Sequence, residues 1–276
     1  MKRDDLIHPE IMGNKWRKLK YNIALMKEKN LSKLVTLGGA YSNHIAATAA
    51  ASFEQGFHSV GIIRGEELAV DSNPTLEFAH SRGMKLEFVS RETFRTWRDN
   101  PDLLLKKYPN HYFLPEGGTN QMAINGCKEI VDEISTDFDY LITPIGTGGT
   151  FAGLVSGIRD DRKIIGISSL KGDFIHASIS ELLQSYQIQS SNYLIQSEYH
   201  FGGYGKVNSE LIDFINWFKE NFGIPLDPIY TGKSFFAVWD MIKTDKFEKN
   251  LRIILLHTGG LQGIEGFNRK NENIIN

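Results

Sequence analysis

Apolar positions along this chain switch repeatedly between helical and strand spacing. Trp16, Leu19, Ile23 and Met26 recur every three or four residues, which predicts an amphipathic helix over 16–29. Leu34-Val35-Thr36-Leu37 is a short apolar run ending at Gly38-Gly39 and reads as a strand. The alanine-rich stretch from Ile45 to Ser52 reads as a closely packed helix, Val60 to Ile63 as a strand, Thr75 to Arg82 as a helix and Lys85 to Val89 as a strand. The segment 92–108 is helical with an interruption at Asn100-Pro101. A helix over 125–133 precedes a strand over 140–143, and a helix from Gly149 to about Ile158 precedes a strand over 164–167. Further helices are predicted near 176–186, 208–222 and 233–243, before a buried strand at 253–256 that ends in His257-Thr258-Gly259-Gly260.

Strands alternating with helices predict an α/β protein with parallel sheets, because parallel neighbours need crossover connections. Three strands end in glycine-rich turns, at 38–39, 146–149 and 259–260. Ligands of open α/β sheets bind beyond the carboxyl ends of the strands, so these turns are expected to meet at one cleft. Repeats, low-complexity tracts and long linkers are absent, and domain boundaries are weakly marked.

Composition narrows the function classes. Hydrophobic residues make up 41% and charged residues 23%, with 31 Lys+Arg against 33 Asp+Glu and a net charge of −2. That balance gives no reason to expect nucleic acid or an anionic membrane as partner. No apolar run approaches the roughly 18 residues of a membrane span, and Met1-Lys2-Arg3-Asp4-Asp5 is not followed by the apolar stretch of a signal peptide. A cytoplasmic, soluble protein is expected. Cys127, the single cysteine, permits no intramolecular disulfide and reads as a buried structural thiol.

Four short stretches could carry chemistry. Thr143 to Thr150 joins a strand to a helix through Gly146, Gly148 and Gly149; such a turn cradles phosphate at a helix N-terminus or simply makes a tight connection. It is no dinucleotide fingerprint, because Phe151 holds the third glycine position. Gly232-Lys233-Ser234 resembles the end of a P-loop, but Asp227 stands where the leading glycine belongs, so Lys233 reads as a first-turn helix residue. Ser42-Asn43-His44 opens a helix, either as a plain N-cap or as a carboxylate site; His44 alone reads as a surface residue. Gly13-Asn14-Lys15 places a lysine at a helix start, with Arg17 and Lys18 close by. A free lysine titrates near 10.4, and a nucleophilic one needs desolvation or nearby cations to be neutral. A solvated lysine on an amphipathic helix would have the same local sequence. Neither H-E-x-x-H nor G-x-S-x-G occurs.

Taken in order, Lys2-Arg3-Asp4-Asp5, Gly13 to Leu19, Gly38 to His44, Thr147 to Thr150, Leu226 to Lys233 and His257 to Gly260 resemble the 1-aminocyclopropane-1-carboxylate deaminase / D-cysteine desulfhydrase family. The resemblance covers essentially the whole chain. It implies the two-domain tryptophan synthase β-like fold (fold type II), with a smaller domain over 18–121, a larger one formed by 1–17 and 122–276, and pyridoxal 5′-phosphate between them. It also implies that Lys15 carries the cofactor and that Thr147, Gly148, Gly149 and Thr150 hold its phosphate. Asn43 would bond the pyridoxal 3′-oxygen, Ser42, Asn43 and His44 would line the substrate carboxylate, and Thr258 or Thr231 would face the pyridine nitrogen. Tyr230 matches the family's active-site tyrosine, and Tyr204 a second.

Within that family the deaminases carry glutamate where this chain has Thr231, and glutamine where it has His44. A neutral donor at the pyridine nitrogen weakens the electron sink and suits β-elimination better than cyclopropane ring opening. The resemblance therefore implies a D-cysteine desulfhydrase-like lyase releasing a keto acid and ammonia from a small amino acid, in a homodimer. The alternatives are 1-aminocyclopropane-1-carboxylate deaminase and a non-catalytic cofactor- or amino-acid-binding protein. Family members begin some tens of residues before the Lys-Arg-Asp-Asp stretch, so an exposed sheet edge or a weakened pocket is expected here.

Overall fold

The computed structural model describes residues 1–272 and 274–276. Its strands are β1 (Lys2–Arg3), β2 (Lys33–Gly39), β3 (His58–Arg64), β4 (Lys85–Val89), β5 (Tyr112–Leu114), β6 (Tyr140–Ile145), β7 (Lys163–Ser168), β8 (Tyr193–Gln196) and β9 (Ile253–His257). Its helices are α1 (Asn14–Glu28), α2 (Asn43–Gln55), α3 (Pro74–Ser81), α4 (Arg91–Asp99), α5 (Pro101–Lys107), α6 (Gln121–Asp132), α7 (Gly149–Gly157), α8 (Phe174–Ser185), α9 (Ser209–Phe222), α10 (Thr231–Lys243) and α11 (Gln262–Lys270).

The strands form two sheets, one in the order β4-β3-β2-β5 and the other in the order β1-β9-β6-β7-β8. All pairings are parallel. The strands of the first sheet all fall within 18–121, and those of the second all fall outside it.

Both sheets are covered on both faces, so their strands read as near-continuous apolar runs. On β6, Leu141 and Ile145 pack with Ile124, Phe151 and Ile179, while Ile142 turns to Ala237 and Val238 of α10. On β3, Ile62 joins Phe94 and Leu104, while Ile63 joins Ile45, Leu76 and Met84. Successive residues point to opposite faces, and each face meets a helix.

Strands β6 and β9 are neighbours inside the larger sheet. Their carboxyl ends lead into the turns at 146–148 and 258–260, and β2 leads into the turn before α2. Position in the fold thus brings the three glycine-rich turns together. Among the described residues no helix is long and apolar enough to cross a membrane.

Candidate active site

Lys15 sits in the first turn of α1, and the helix start is fixed from below. Gly13 caps it at φ 57°, a backbone state that disfavours side chains. A Cβ there would lie 2.0 Å from the Thr258 carbonyl oxygen, and the Asn14 amide donates to that same oxygen at 3.2 Å. Arg17 turns away from Lys15. Its guanidinium donates to Asp4 at 3.1 and 3.2 Å and to Glu133 at 2.7 Å, pinning α1 to the segment after β1 and to the end of α6. Lys18, unlike Arg17, faces the same cavity as Lys15. Burial first, and Lys18 second, lower the Lys15 amine to about 7.

The Lys18 ammonium is buried and donates to the Gly117 carbonyl at 2.9 Å, with Thr119 Oγ1 at 3.3 Å and Thr147 Oγ1 at 3.4 Å. Burial lowers it to about 8. It stands directly over the N-terminus of α7, where a Cβ on Gly149 would meet Lys18 Nζ at 2.9 Å and Thr119 Oγ1 at 2.6 Å. Thr147 and Thr119 hydroxyls lie 2.9 Å apart, and Thr150 Oγ1 accepts from Asn14 Nδ2 at 2.9 Å.

The third wall is the start of α2. Ser42 caps it, its hydroxyl accepting from the Ile45 amide at 3.3 Å. Asn43 Oδ1 accepts from Gln262 Nε2 at 3.0 Å. The His44 ring is buried, 2.7 Å from Thr36 Oγ1 and 3.5 Å from Thr48 Oγ1. Burial, then Lys15 and Lys18, hold it well below the usual histidine range, so it is neutral.

The fourth wall comes from the start of α10 and the loop before α9. Tyr230 and Tyr204 meet edge to face with centroids 6.1 Å apart. Burial raises both phenols, Tyr230 well above its ordinary value, so both are protonated near neutral pH. These walls enclose a cavity of about 710 Å³.

The groups present fit pyridoxal phosphate. A phosphate needs donors and positive potential without a competing carboxylate. The turn at 147–150 supplies a helix N-terminus, hydroxyls and a glycine whose missing side chain leaves Lys18 room. Among the described residues, Lys18 has no carboxylate hydrogen-bond partner. A lysine titrating near 7 in the same cavity supplies the amine that an aldehyde cofactor requires.

Residues 1–259 match the family described as pyridoxal-phosphate dependent enzyme. The chain belongs to that family. One relative is a Pyrococcus furiosus protein named "Putative 1-aminocyclopropane-1-carboxylate deaminase", 30% identical over 95% of this chain and 84% of its own length. Another is the mitochondrial "Bifunctional D-cysteine desulfhydrase/1-aminocyclopropane-1-carboxylate deaminase" of Arabidopsis thaliana, 28% identical over 96% of this chain and 72% of its own. A solved structure described as an ACC deaminase homologue superposes with a TM-score of 0.84 at 25% identity, covering 99% of this chain and 88% of that one. The motif resemblance and the fold type it implies therefore hold, as do the cofactor and an enzymatic role.

Most of the site residues implied by the resemblance line this cavity. Lys15, Ser42, Asn43, His44, Thr147, Gly148, Thr150, Tyr204, Tyr230 and Thr258 all line the cavity, and Gly149 lies behind it in the first turn of α7. Thr231 does not. It is fully buried, donates its hydroxyl to Asp227 Oδ1 at 2.7 Å and accepts from the Asp227 amide at 2.8 Å. Of the two threonines considered for the pyridine nitrogen, Thr258 is the one on the wall. His44 is also placed differently from its expected surface position, because its ring points inward to the hydroxyls of β2 and α2.

Three contributions escaped sequence reasoning. Lys18 is visible in the sequence as a cation close to Lys15, but its place over the N-terminus of α7 is not. The Asp227 carboxylate, buried at 1% exposure, accepts from the amides of Ile229, Tyr230 and Thr231 at 2.8–2.9 Å as well as from the Thr231 hydroxyl; an Asp four residues before a helix is a capping signal that could have been read. Glu116, whose carboxyl burial pushes up, lines the cavity from the turn after β5, and nothing local marks it.

Proposed function

We propose that this enzyme is a D-cysteine desulfhydrase-like lyase that turns a small β-substituted amino acid and water into a keto acid, ammonia and the departing group. For D-cysteine the products are pyruvate, ammonia and hydrogen sulfide. The observation that carries the reading is Lys15, an amine lowered to about 7 within one cavity with the donor cradle of Lys18, Thr147 and α7.

Bound pyridoxal phosphate supplies an electron sink for the carbanion formed at the substrate α-carbon. The other roles belong to this chain. Lys18, Thr147, Gly148, Gly149 and Thr150 hold the phosphate. The N-terminus of α2, with Ser42 and Asn43, holds the substrate carboxylate against free amides. Neutral His44 forms the floor beneath them, its ring nitrogens facing Thr36 and Thr48. Lys15, close to half neutral near pH 7, takes the α-proton as general base. The protonated phenols of Tyr230 and Tyr204 donate to the departing hydrosulfide. Thr258 offers the pyridine nitrogen a neutral hydroxyl, while the nearby Asp227 carboxylate is fully engaged in capping α10. This weak sink supports loss of a good leaving group from the β-carbon.

A second reading, 1-aminocyclopropane-1-carboxylate deaminase, is favoured by the name of the Pyrococcus furiosus relative, while the name of the Arabidopsis relative carries both activities. Product assays decide between them. Hydrogen sulfide and pyruvate from D-cysteine, faster than α-ketobutyrate from the cyclopropane acid, is the expected result; the reverse order would replace the first reading by the second. The proposal includes a cytoplasmic homodimer with two domains divided at 18–121, and light scattering at the mass of one 31.2 kDa chain would remove the dimer.

A further inference from the structure

Lys233 is fully buried in the first turn of α10, and neither cofactor binding nor proton transfer uses it. Its ammonium donates to the His200 and Gly203 carbonyls, both at 2.8 Å. Those carbonyls belong to the loop that carries Tyr204. The loop has left-handed backbone at Phe201 (φ 52°), Gly202 (94°), Gly203 (117°) and Gly205 (67°), a conformation with little intrinsic preference and no secondary-structure ladder of its own. The Gly203 and Lys206 amides form turn bonds to His200 and Gly203, and Gly202 N–H donates to His200 Nδ1 at 2.8 Å. Lys233 supplies the hydrogen bonds that tie this turn to the helix start bearing Tyr230, beside the edge-to-face packing of Phe201 on Phe236 of α10 at 5.0 Å. Tyr204 itself stays half exposed and meets the rest of the cavity through the Tyr230 ring.

We propose that Lys233 is a positioning residue that clamps the 200–205 loop and thereby holds Tyr204 against Tyr230 over the substrate. Burying a lysine costs free energy unless its donors are well used, and here burial lowers the amine to about 8. Two charge-assisted bonds to one loop offset that cost. The same helix turn then sets both tyrosines, Tyr230 through the chain and Tyr204 through the clamp. The catalytic consequence rests on the proposed role of Tyr204; the clamp itself does not.

The test uses holoenzyme variants and two readouts. Hydrogen exchange of the 202–206 amides, without substrate, reports the clamp. In Lys233→Met these amides should exchange at least about tenfold faster than in wild type, while α7 and β6 amides are unchanged. Lys233→Gln, which keeps two N–H donors, should restore most of the protection, and Lys233→Leu replaces the methionine variant if that one fails to fold. The second readout is a kinetic cycle with Tyr204→Phe. Each single variant should lower kcat/KM roughly tenfold, and the double variant should be no worse than the poorer single, because both remove one function. Unchanged exchange of 202–206 in the donor-free Lys233 variant would overturn the clamp. Multiplying kinetic effects would overturn its link to Tyr204. An enzyme inactive on D-cysteine would leave the exchange result standing and count against the function alone.

Discussion

The Asn14 amide donates to the Thr258 carbonyl at 3.2 Å, and a Cβ on Gly13 would lie 2.0 Å from that same oxygen. The helix bearing Lys15 is therefore seated directly on the turn that ends β9, with no side chain between. Gly13→Ala is expected to break this seat, through a strained φ of 57° and a backbone clash, at a cost of at least about 2 kcal/mol. Thermal unfolding without cofactor measures the loss, and cofactor titration should show weaker binding in the folded fraction. An alanine variant of wild-type stability and affinity would contradict the seat.

The lysine pair gives a pH dependence whose sign is fixed. Lys15 titrates at about 7 in the folded protein and near 10.4 when unfolded. The unfolded chain binds the extra proton between those values, so stability attributable to this group rises with pH across that window. The penalty of burying Lys15 is full below about pH 7 and fades towards about pH 10. Lys15→Met should then stabilise the cofactor-free protein by a few kcal/mol at about pH 6 and by little at about pH 10. Lys18→Met removes a neighbouring cation, so the acid limb of cofactor capture should move to higher pH and phosphate affinity should fall roughly tenfold. A stabilisation by Lys15→Met that is the same at both pH values would show that the amine is not depressed.

The two threonines should separate cleanly. Thr231→Val leaves a buried Asp227 oxygen and the Asp227 amide without the hydroxyl, costing about 1–3 kcal/mol of stability, with the absorbance of bound cofactor unchanged. Thr258→Val should alter that absorbance and kcat while stability changes less. A spectral change confined to Thr231→Val would return that residue to the pyridine nitrogen.

Much of this architecture was legible in the chain. Runs such as Leu34–Leu37 and Ile164–Ile167 are buried on both faces, so they announce parallel strands without needing alternation. Ser42 and the 146–150 turn were visible for their capping and glycine chemistry. The misses have physical causes. Strand β1 is two charged residues, Lys2 and Arg3, whose strand state comes only from pairing with Leu256 and His257. Strand β5 is three residues long, and β8 lies at the sheet edge where packing imposes little pattern. Helix α11 is hidden by Gly263 and Gly266. In the site, the helix starts at Gly13-Asn14-Lys15 and at Ser42 could be read from local spacing, and the resemblance, not the spacing, gave the expectation that they serve one cofactor. The cradle position of Lys18 and the wall position of Glu116 could not be read, because each depends on an element distant in sequence; the inward turn of His44 towards Thr36 and Thr48 depends on how α2 packs on β2, which spacing alone does not show. Thr231 was misplaced because the capping demand of Asp227, four residues earlier, outweighs the cavity.

The central claim is that Lys15 carries the cofactor. Purified protein is saturated with pyridoxal phosphate, reduced with borohydride, digested and mapped. The account predicts a single labelled peptide with the modification on Lys15, lost in Lys15→Met while Lys18 and Lys233 stay unlabelled. Label on Lys18 or Lys233, or none after saturation, would contradict it.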